Sequence, residues 1–275
     1  MRPSVFARIL FAACALVVLA GREARAQSGP RNAYDGNWHF TLTPYVWLVT
    51  GVSGSLNFPL PNGGQALDKP NSSSLGIKFA FMGTAEARRG DWSAFVDLVY
   101  ADLGGSKSKV KTLTGPGGNI EVPIDAGTKT GLQNTVLTFA GAYSLYHTRV
   151  SYADAFMGVR YLSTKASLDF NFSGPLTLLP PSGRLDNSEH SWDGIVGIKG
   201  HWGSNRSRWF LTYYGDVGTG QAALTGQIVA GPGYAFDWGD LFLVGRYLHY
   251  SNSGHDKAIG SLDTYGPAFG ASFYF

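Results

Sequence analysis

Cysteine is almost absent: the 275-residue chain has one, Cys14. That excludes a disulfide framework and a thiolate-held zinc. Charge is scarce as well, at 15% of residues against about 25% in an average soluble domain. No stretch approaches the roughly 18 uncharged apolar residues of a membrane-spanning helix, and helical periodicity is rare throughout. What the chain has instead is 37 glycines and an aromatic content of 14%, within an apolar content of 44% that is too high for disorder.

The N-terminus has its own logic. Arg2 and Arg8 precede an apolar run from Ile9 to Ala20, and Ala24-Arg25-Ala26 follows as a small-x-small site before Gln27. These are the regions of a secretory signal peptide in their usual order. The chain therefore divides into a signal peptide over 1–26 and one exported domain over 27–275. Cys14 lies inside the apolar run, ahead of the cleavage site, which argues against a lipoprotein signal. Removing 1–26 takes away four of 22 basic residues and one of 19 acidic ones, leaving 18 of each. A neutral domain has no electrostatic footprint for nucleic acid.

Beyond residue 27 the dominant pattern is alternation with period two, the mark of strands with two different faces. Near the C-terminus Tyr265, Pro267, Phe269, Ala271, Phe273 and Phe275 share one face. Thr264, Gly266, Ala268, Gly270, Ser272 and Tyr274 share the other. In a soluble sandwich the polar face would carry Lys, Glu and Arg; here it carries small residues, which suits the crowded interior of a small barrel. The pattern recurs to predict ten strands, at 37–50, 74–88, 92–104, 129–146, 152–168, 189–202, 208–218, 222–236, 241–251 and 262–275. Short connections at 89–91, 147–151, 203–207 and 237–240 alternate with Gly-, Pro-, Ser- and Asn-rich loops at 51–73, 105–128, 169–188 and 252–261; only 219–221 breaks the trend. The fold class expected is an all-β, transmembrane, antiparallel up-and-down barrel of about ten strands, with both termini on the short-turn, periplasmic side of a bacterial outer membrane. Trp38, Trp92, Trp202, Trp209 and Trp238 lie next to the short turns, with Tyr34, Tyr146, Tyr152, Tyr274 and Phe275 near that level, as in an interfacial aromatic girdle.

Inward parity collects Lys78, Glu86, Arg88, Asp97, Asp154, Arg160, Asp193, Lys199, His201, Asp216 and Arg246 as lumen-lining residues. Two readings follow: a self-neutralising ladder of ion pairs that fills a narrow barrel, or a narrow pore for small solutes lined with both signs. Buried charges need partners, and alignment of neighbouring strands would pair Arg160 with Asp193. Ten strands are only slightly wider than eight, whose side chains just fill the bore, so a large aqueous channel is not expected. His147, His190, His201 and His255 lack metal-ligand spacing, so no metal and no cofactor is expected. Gly115-Pro116-Gly117-Gly118 lacks the strand–helix context of a phosphate cradle.

The chain ends in Tyr274-Phe275, which resembles the C-terminal assembly signal of outer-membrane barrels; by that resemblance Phe275 would engage the barrel-assembly machinery. Tyr214 to Gly220, Gly233 to Trp238, Gly245 to Leu248 and Gly266 to Gly270, together with the opening Trp38 to Gly54, resemble a poorly characterised proteobacterial barrel family. That family is broadly similar to OmpW-type and other small, porin-like outer-membrane barrels. The resemblance implies a fold and a location, with outer-membrane lipid and lipopolysaccharide as surroundings, and no chemistry. The chain is expected to be a monomeric, non-enzymatic surface protein; a loop-mediated adhesin acting through 51–73, 105–128 and 169–188 is a further reading.

One constellation could carry chemistry. A final hairpin symmetric about residue 256 would place His249 opposite Asp263, with Ser251 on the same face. The stretch His249-Tyr250-Ser251-Asn252 resembles the His-x-Ser-Asn motif of outer-membrane lipid A 3-O-deacylases. That resemblance implies His249 as base, Ser251 as nucleophile and Asp263 as orienting acid, although those enzymes have eight strands and usually a Glu acid. The other reading of the same residues is a His–Asp cross-strand pair at the interface.

Overall fold

A computed structural model describes residues 33–59, 65–68, 76–105, 110–115, 118–120, 129–171, 182–252 and 259–275. The segment read as a signal peptide, 1–26, lies outside them. The strands are β1 (Trp38–Trp47), β2 (Gly51–Pro59), β3 (Gln65–Asp68), β4 (Gly76–Arg89), β5 (Trp92–Gly105), β6 (Val110–Gly115), β7 (Gly118–Ile120), β8 (Lys129–His147), β9 (Ser151–Asn171), β10 (Ser182–Gly203), β11 (Trp209–Gly220), β12 (Leu224–Ala235), β13 (Asp240–Ser251) and β14 (Ile259–Tyr274). Ten of them, β1, β4, β5 and β8 to β14, pair antiparallel in that order, and β14 returns to β1 to close a barrel. Closure leaves the barrel wall without an unpaired edge. It is finished at the chain end, where Phe40 and Phe275 exchange backbone hydrogen bonds of 3.0 and 2.8 Å.

Alternation sets the faces. On β10, Trp192, Val196, Ile198 and Trp202 point outward and are at least half exposed, whereas Asp193 and Ile195 are buried inside. On β14, Tyr265 and Phe269 are outward and Thr264 and Ala268 inward. The outward belt is apolar on every barrel strand with residues such as Phe81, Phe139, Met157, Ile228 and Leu243 exposed. A belt of this extent exceeds the few hundred Å² of contiguous apolar surface that monomeric soluble proteins tolerate. Trp192 and Trp202 mark its two edges on β10: about ten residues at ~3.3 Å, tilted by about 40°, give a height of roughly 25 Å, that of an outer-membrane barrel's apolar band.

Trp38, Trp92, Trp202, Trp209 and Trp238 ring the short-turn end and are all exposed, with Tyr146 and Phe275 beside them. Tyr146 reaches the outer face because a bulge between Ser144 and Tyr146 shifts the register, leaving Leu145 and Tyr146 both outside. Tyr34, Tyr152 and Tyr274 do not join this ring. Tyr152 and Tyr274 line the interior, and Tyr34 folds under the barrel, stacked 3.9 Å from the His147 ring.

The long-loop end differs from expectation. Four short strands occupy regions expected as loops: β2 continues along β14 beyond β1, β3 pairs with β2, β6 with β3, and β7 with β6. The region expected as a loop at 169–188 is partly strand, since β9 runs to Asn171 and β10 begins at Ser182. The outward residues there are Arg184, Asp186, Ser188 and His190, all exposed. These extensions stand above the apolar belt, so they lack the greasy face by which the other strands were recognised. The tight connection expected at 219–221 falls at 221–223.

Candidate functional site

The interior divides into three storeys along the axis. At the short-turn end Arg88 on β4 donates to Glu86 Oε1 at 3.1 Å, to Ser93 at 3.4 Å and to Asp154 on β9. Lys199 on β10 donates to Glu86 Oε2 at 2.5 Å and stands 4.7 Å over the Phe95 ring. Ser144 donates to Asp154 at 2.7 Å and lies 3.1 Å from the Tyr34 hydroxyl. Burial pushes that phenol up to about 12. Just outside the barrel, the side chain of His39 and then the backbone and side chain of Asn37 hydrogen-bond the Asp35 carboxyl and hold it down at about 2.

The middle storey holds two arginines. Arg246 on β13 donates to the Tyr45 hydroxyl at 2.5 Å, to Asp97 at 3.1 Å and to Gln227 at 2.8 Å. The Tyr45 and Thr84 hydroxyls donate to the other oxygen of Asp97. Arg160 on β9, fully buried, grips Asp216 on β11 with both terminal nitrogens and donates to Thr225 at 3.2 Å. The alignment places Asp193 directly opposite Arg160, yet the ion pair forms with Asp216. Asp193 is committed elsewhere: it accepts from Ser191 at 2.7 Å and caps the 221–223 turn through Ala222 N–H at 2.7 Å. Gly197 lies between Asp193 and Lys199 on the inner face of β10, and a side chain there would meet Phe156 and Asp216. Its absence leaves room for Asp216 beside the Arg160 strand.

The third storey, toward the long loops, is mostly apolar, with buried Thr164, Ser191 and Glu189 on the β9 and β10 side. Val136, Leu162, Leu248 and Leu262 point inward with at most 2% exposure, packed with Val99, Trp47 and Met82. Beyond them β2 leans across the mouth to touch β10, four strands around the wall from β14 to which it is paired.

Below the apolar storey an interior cavity of about 770 Å³ runs from Tyr34, Asn37 and His39 at the short-turn mouth inward to Arg246 and Val244. The structure thus places Glu86, Arg88, Asp97, Asp154, Arg160, Asp193, Lys199, His201, Asp216 and Arg246 on the inner side. Lys78 falls outside the residues whose side chains are described. Sequence parity did not single out Asp240, which is buried at the foot of β13 and accepts from the Tyr274 hydroxyl at 2.5 Å. It also passed over Tyr45, Gln227 and Tyr214, whose polar tips complete the arginine sites. Tyr45, Gln227 and Tyr214 fall within expected strands, so their place on the inner face was legible, although their hydrogen-bonding roles were not; Asp240 falls one residue outside the strand expected at 241–251.

His249 and Asp263 are cross-strand partners on the outer face, just above the apolar belt. The imidazole Nδ1 is 2.7 Å from Asp263 Oδ1, which also accepts from the Tyr247 hydroxyl at 2.5 Å. Among the described residues no hydrogen bond joins Ser251 to His249, and no group of three metal-ligating side chains occurs.

No family model matches the chain, and no curated protein does. Solved structures of similar shape include the outer membrane protease OmpT from Escherichia coli, at 9% identity, covering 87% of this chain and 97% of that one with a TM-score of 0.48. The translocator domain of the autotransporter NalP from Neisseria meningitidis is similar at 13% identity, covering 96% and 98%, with a TM-score of 0.37. The transport unit of the autotransporter AIDA-I from Escherichia coli is similar at 10% identity, covering 86% and 88%, with a TM-score of 0.37.

Proposed function

We propose that this chain is an exported outer-membrane barrel without enzymatic activity, of the small OmpW-like kind, whose bore is a blind chamber open only at the periplasmic end. The observation that carries this reading is the apolar storey. Val136, Leu162, Leu248 and Leu262 are inward-facing, yet at most 2% exposed, so no water column passes them. Beneath it Arg88, Arg160, Lys199 and Arg246 each contact a carboxylate, which favours the self-neutralising ladder over an ion-selective lining. The outer belt and its aromatic rim at the short-turn end supply the bilayer fit, with lipopolysaccharide around the loop end and the assembly machinery engaging Phe275. The barrel closes within one chain, as a monomer requires. A proteoliposome swelling assay tests it: vesicles carrying the refolded protein should swell in small sugars no faster than empty ones, and swelling as fast as porin vesicles would reject the closed bore.

The His249–Asp263 hydrogen bond on the outer face favours a second reading, an esterase acting on lipid A with Ser251 as nucleophile. Against it stands the missing Ser251–His249 contact. Expression in a lipopolysaccharide-bearing host should leave lipid A mass spectra unchanged. Loss of one 3-linked acyl chain, abolished by Ser251→Ala, would establish the esterase instead.

A further inference from the structure

The chamber at the short-turn end has one buried carboxyl group more than its cations match. Its cations are each matched: Arg88 and Lys199 by Glu86 and Asp154, and Arg246 by Asp97. Asp240 is not. Its side chain lines the same cavity and the residue is 2% exposed. One carboxylate oxygen accepts the Tyr274 hydroxyl at 2.5 Å, and the other has no hydrogen-bond partner. Among the described residues no Lys, Arg or His forms an ion pair with it. A buried carboxylate with a bare oxygen is expensive unless something supplies the missing donor.

The cavity that Asp240 lines also carries the aromatic residues Phe210, Phe242 and Tyr274. Phe242 lies two residues along the same inner face. The Phe210 ring covers Gly233, whose missing side chain leaves the ring its place, and Gly233 is the cross-strand partner of Phe242. Tyr274 completes the surround. A cavity that holds both a carboxylate and aromatic rings has the chemistry that binds an organic ammonium: the carboxylate supplies the counter-charge and the rings attract the cation through their quadrupoles. At about 770 Å³ the chamber falls within the roughly 300–1,000 Å³ of small-molecule sites, far larger than one metal ion or one water needs.

We infer that the chamber binds a small organic cation, an amine with an apolar or aromatic body, with Asp240 as its counter-ion and Phe210, Phe242 and Tyr274 as its walls. The inference rests on the blind-chamber reading, because a through-channel would flush the site with solvent ions.

The test is calorimetric titration of the full refolded protein in zwitterionic micelles, with empty micelles subtracted. Three probes of one shape are compared: 2-phenylethylammonium, neutral 2-phenylethanol and anionic phenylacetate. The ammonium should bind saturably and at least tenfold more tightly than either other probe, and raising sodium chloride to the same ionic strength should not displace it. Asp240→Asn should weaken the ammonium at least tenfold. Tyr274→Phe, which removes a competing donor and keeps the ring, should bind it at least as well as the native chain. Equal binding of the alcohol, undiminished binding by Asp240→Asn, or no saturable binding at all would overturn the assignment. If Asp240→Asn does not fold, the three-probe comparison on the native chain still decides. Ion conductance through the barrel would reject the blind chamber whatever the titration gives; a non-conducting barrel that ignores the ammonium rejects only this assignment.

Discussion

Arg160 carries the clearest energetic consequence of this interior. It is fully buried and bidentate on Asp216. Removing one partner of a buried pair leaves the other uncompensated, at a cost of about 3–5 kcal/mol. Arg160→Ala should therefore lower the unfolding free energy by that amount in denaturant titration. Lys165→Ala, on the exposed side of the same strand, should stay within about 0.5 kcal/mol. Replacing the pair together, Arg160→Met with Asp216→Leu, should recover most of the loss. An Arg160→Ala protein as stable as the native one would mean that the guanidinium sits in water. The sequence made Arg160's need for a partner legible, because a cation on an inner face must be paired. It could not name Asp216. Strand tilt and the side chains that compete for each carboxylate decide the pairing, and Asp193 was drawn off by a turn 29 residues along the chain. Asp240 was unreadable for a related reason: at the foot of a strand, parity alone does not distinguish a buried carboxylate from one in water.

Among the elements, every barrel strand could be read because each presents a greasy face to the outside and a small or polar face to the inside. The short strands β2, β3, β6 and β7 and the extended ends of β9 and β10 could not. On the β10 extension the outward residues Arg184, Asp186, Ser188 and His190 are polar, and without a greasy outer face the period-two signal fades. Turn chemistry also survived in the sequence: β4 and β5 join through Gly90-Asp91, and Gly90 has a φ of +58°, the left-handed position that primed hairpin turns reserve for glycine. The alternation of short and long connections fixes an orientation that can be checked directly. A protease site inserted between 121 and 128 should be cut on intact cells, whereas one inserted in the turn at 204–208 should be cut only after the outer membrane is opened. The opposite pattern would turn the barrel over and put the chamber mouth at the cell surface.

At the scale of the whole molecule, the barrel combines a bilayer-matched exterior with an interior that changes character along its axis, from an open, charge-paired chamber to a mostly apolar storey over which β2 leans. Composition already favoured a filled bore, since ten strands leave little room once their inner side chains are placed. What composition did not show was the segregation of polar and apolar fill, which depends on where each inward residue falls along the axis and thus on register. The direct measurement is single-channel recording of the refolded protein in planar bilayers in molar potassium chloride. The native protein should show no stable open level, and truncating Leu162, Leu248 and Leu262 together to glycine should create one. Discrete, long-lived conductance steps from the native protein would contradict the closed bore.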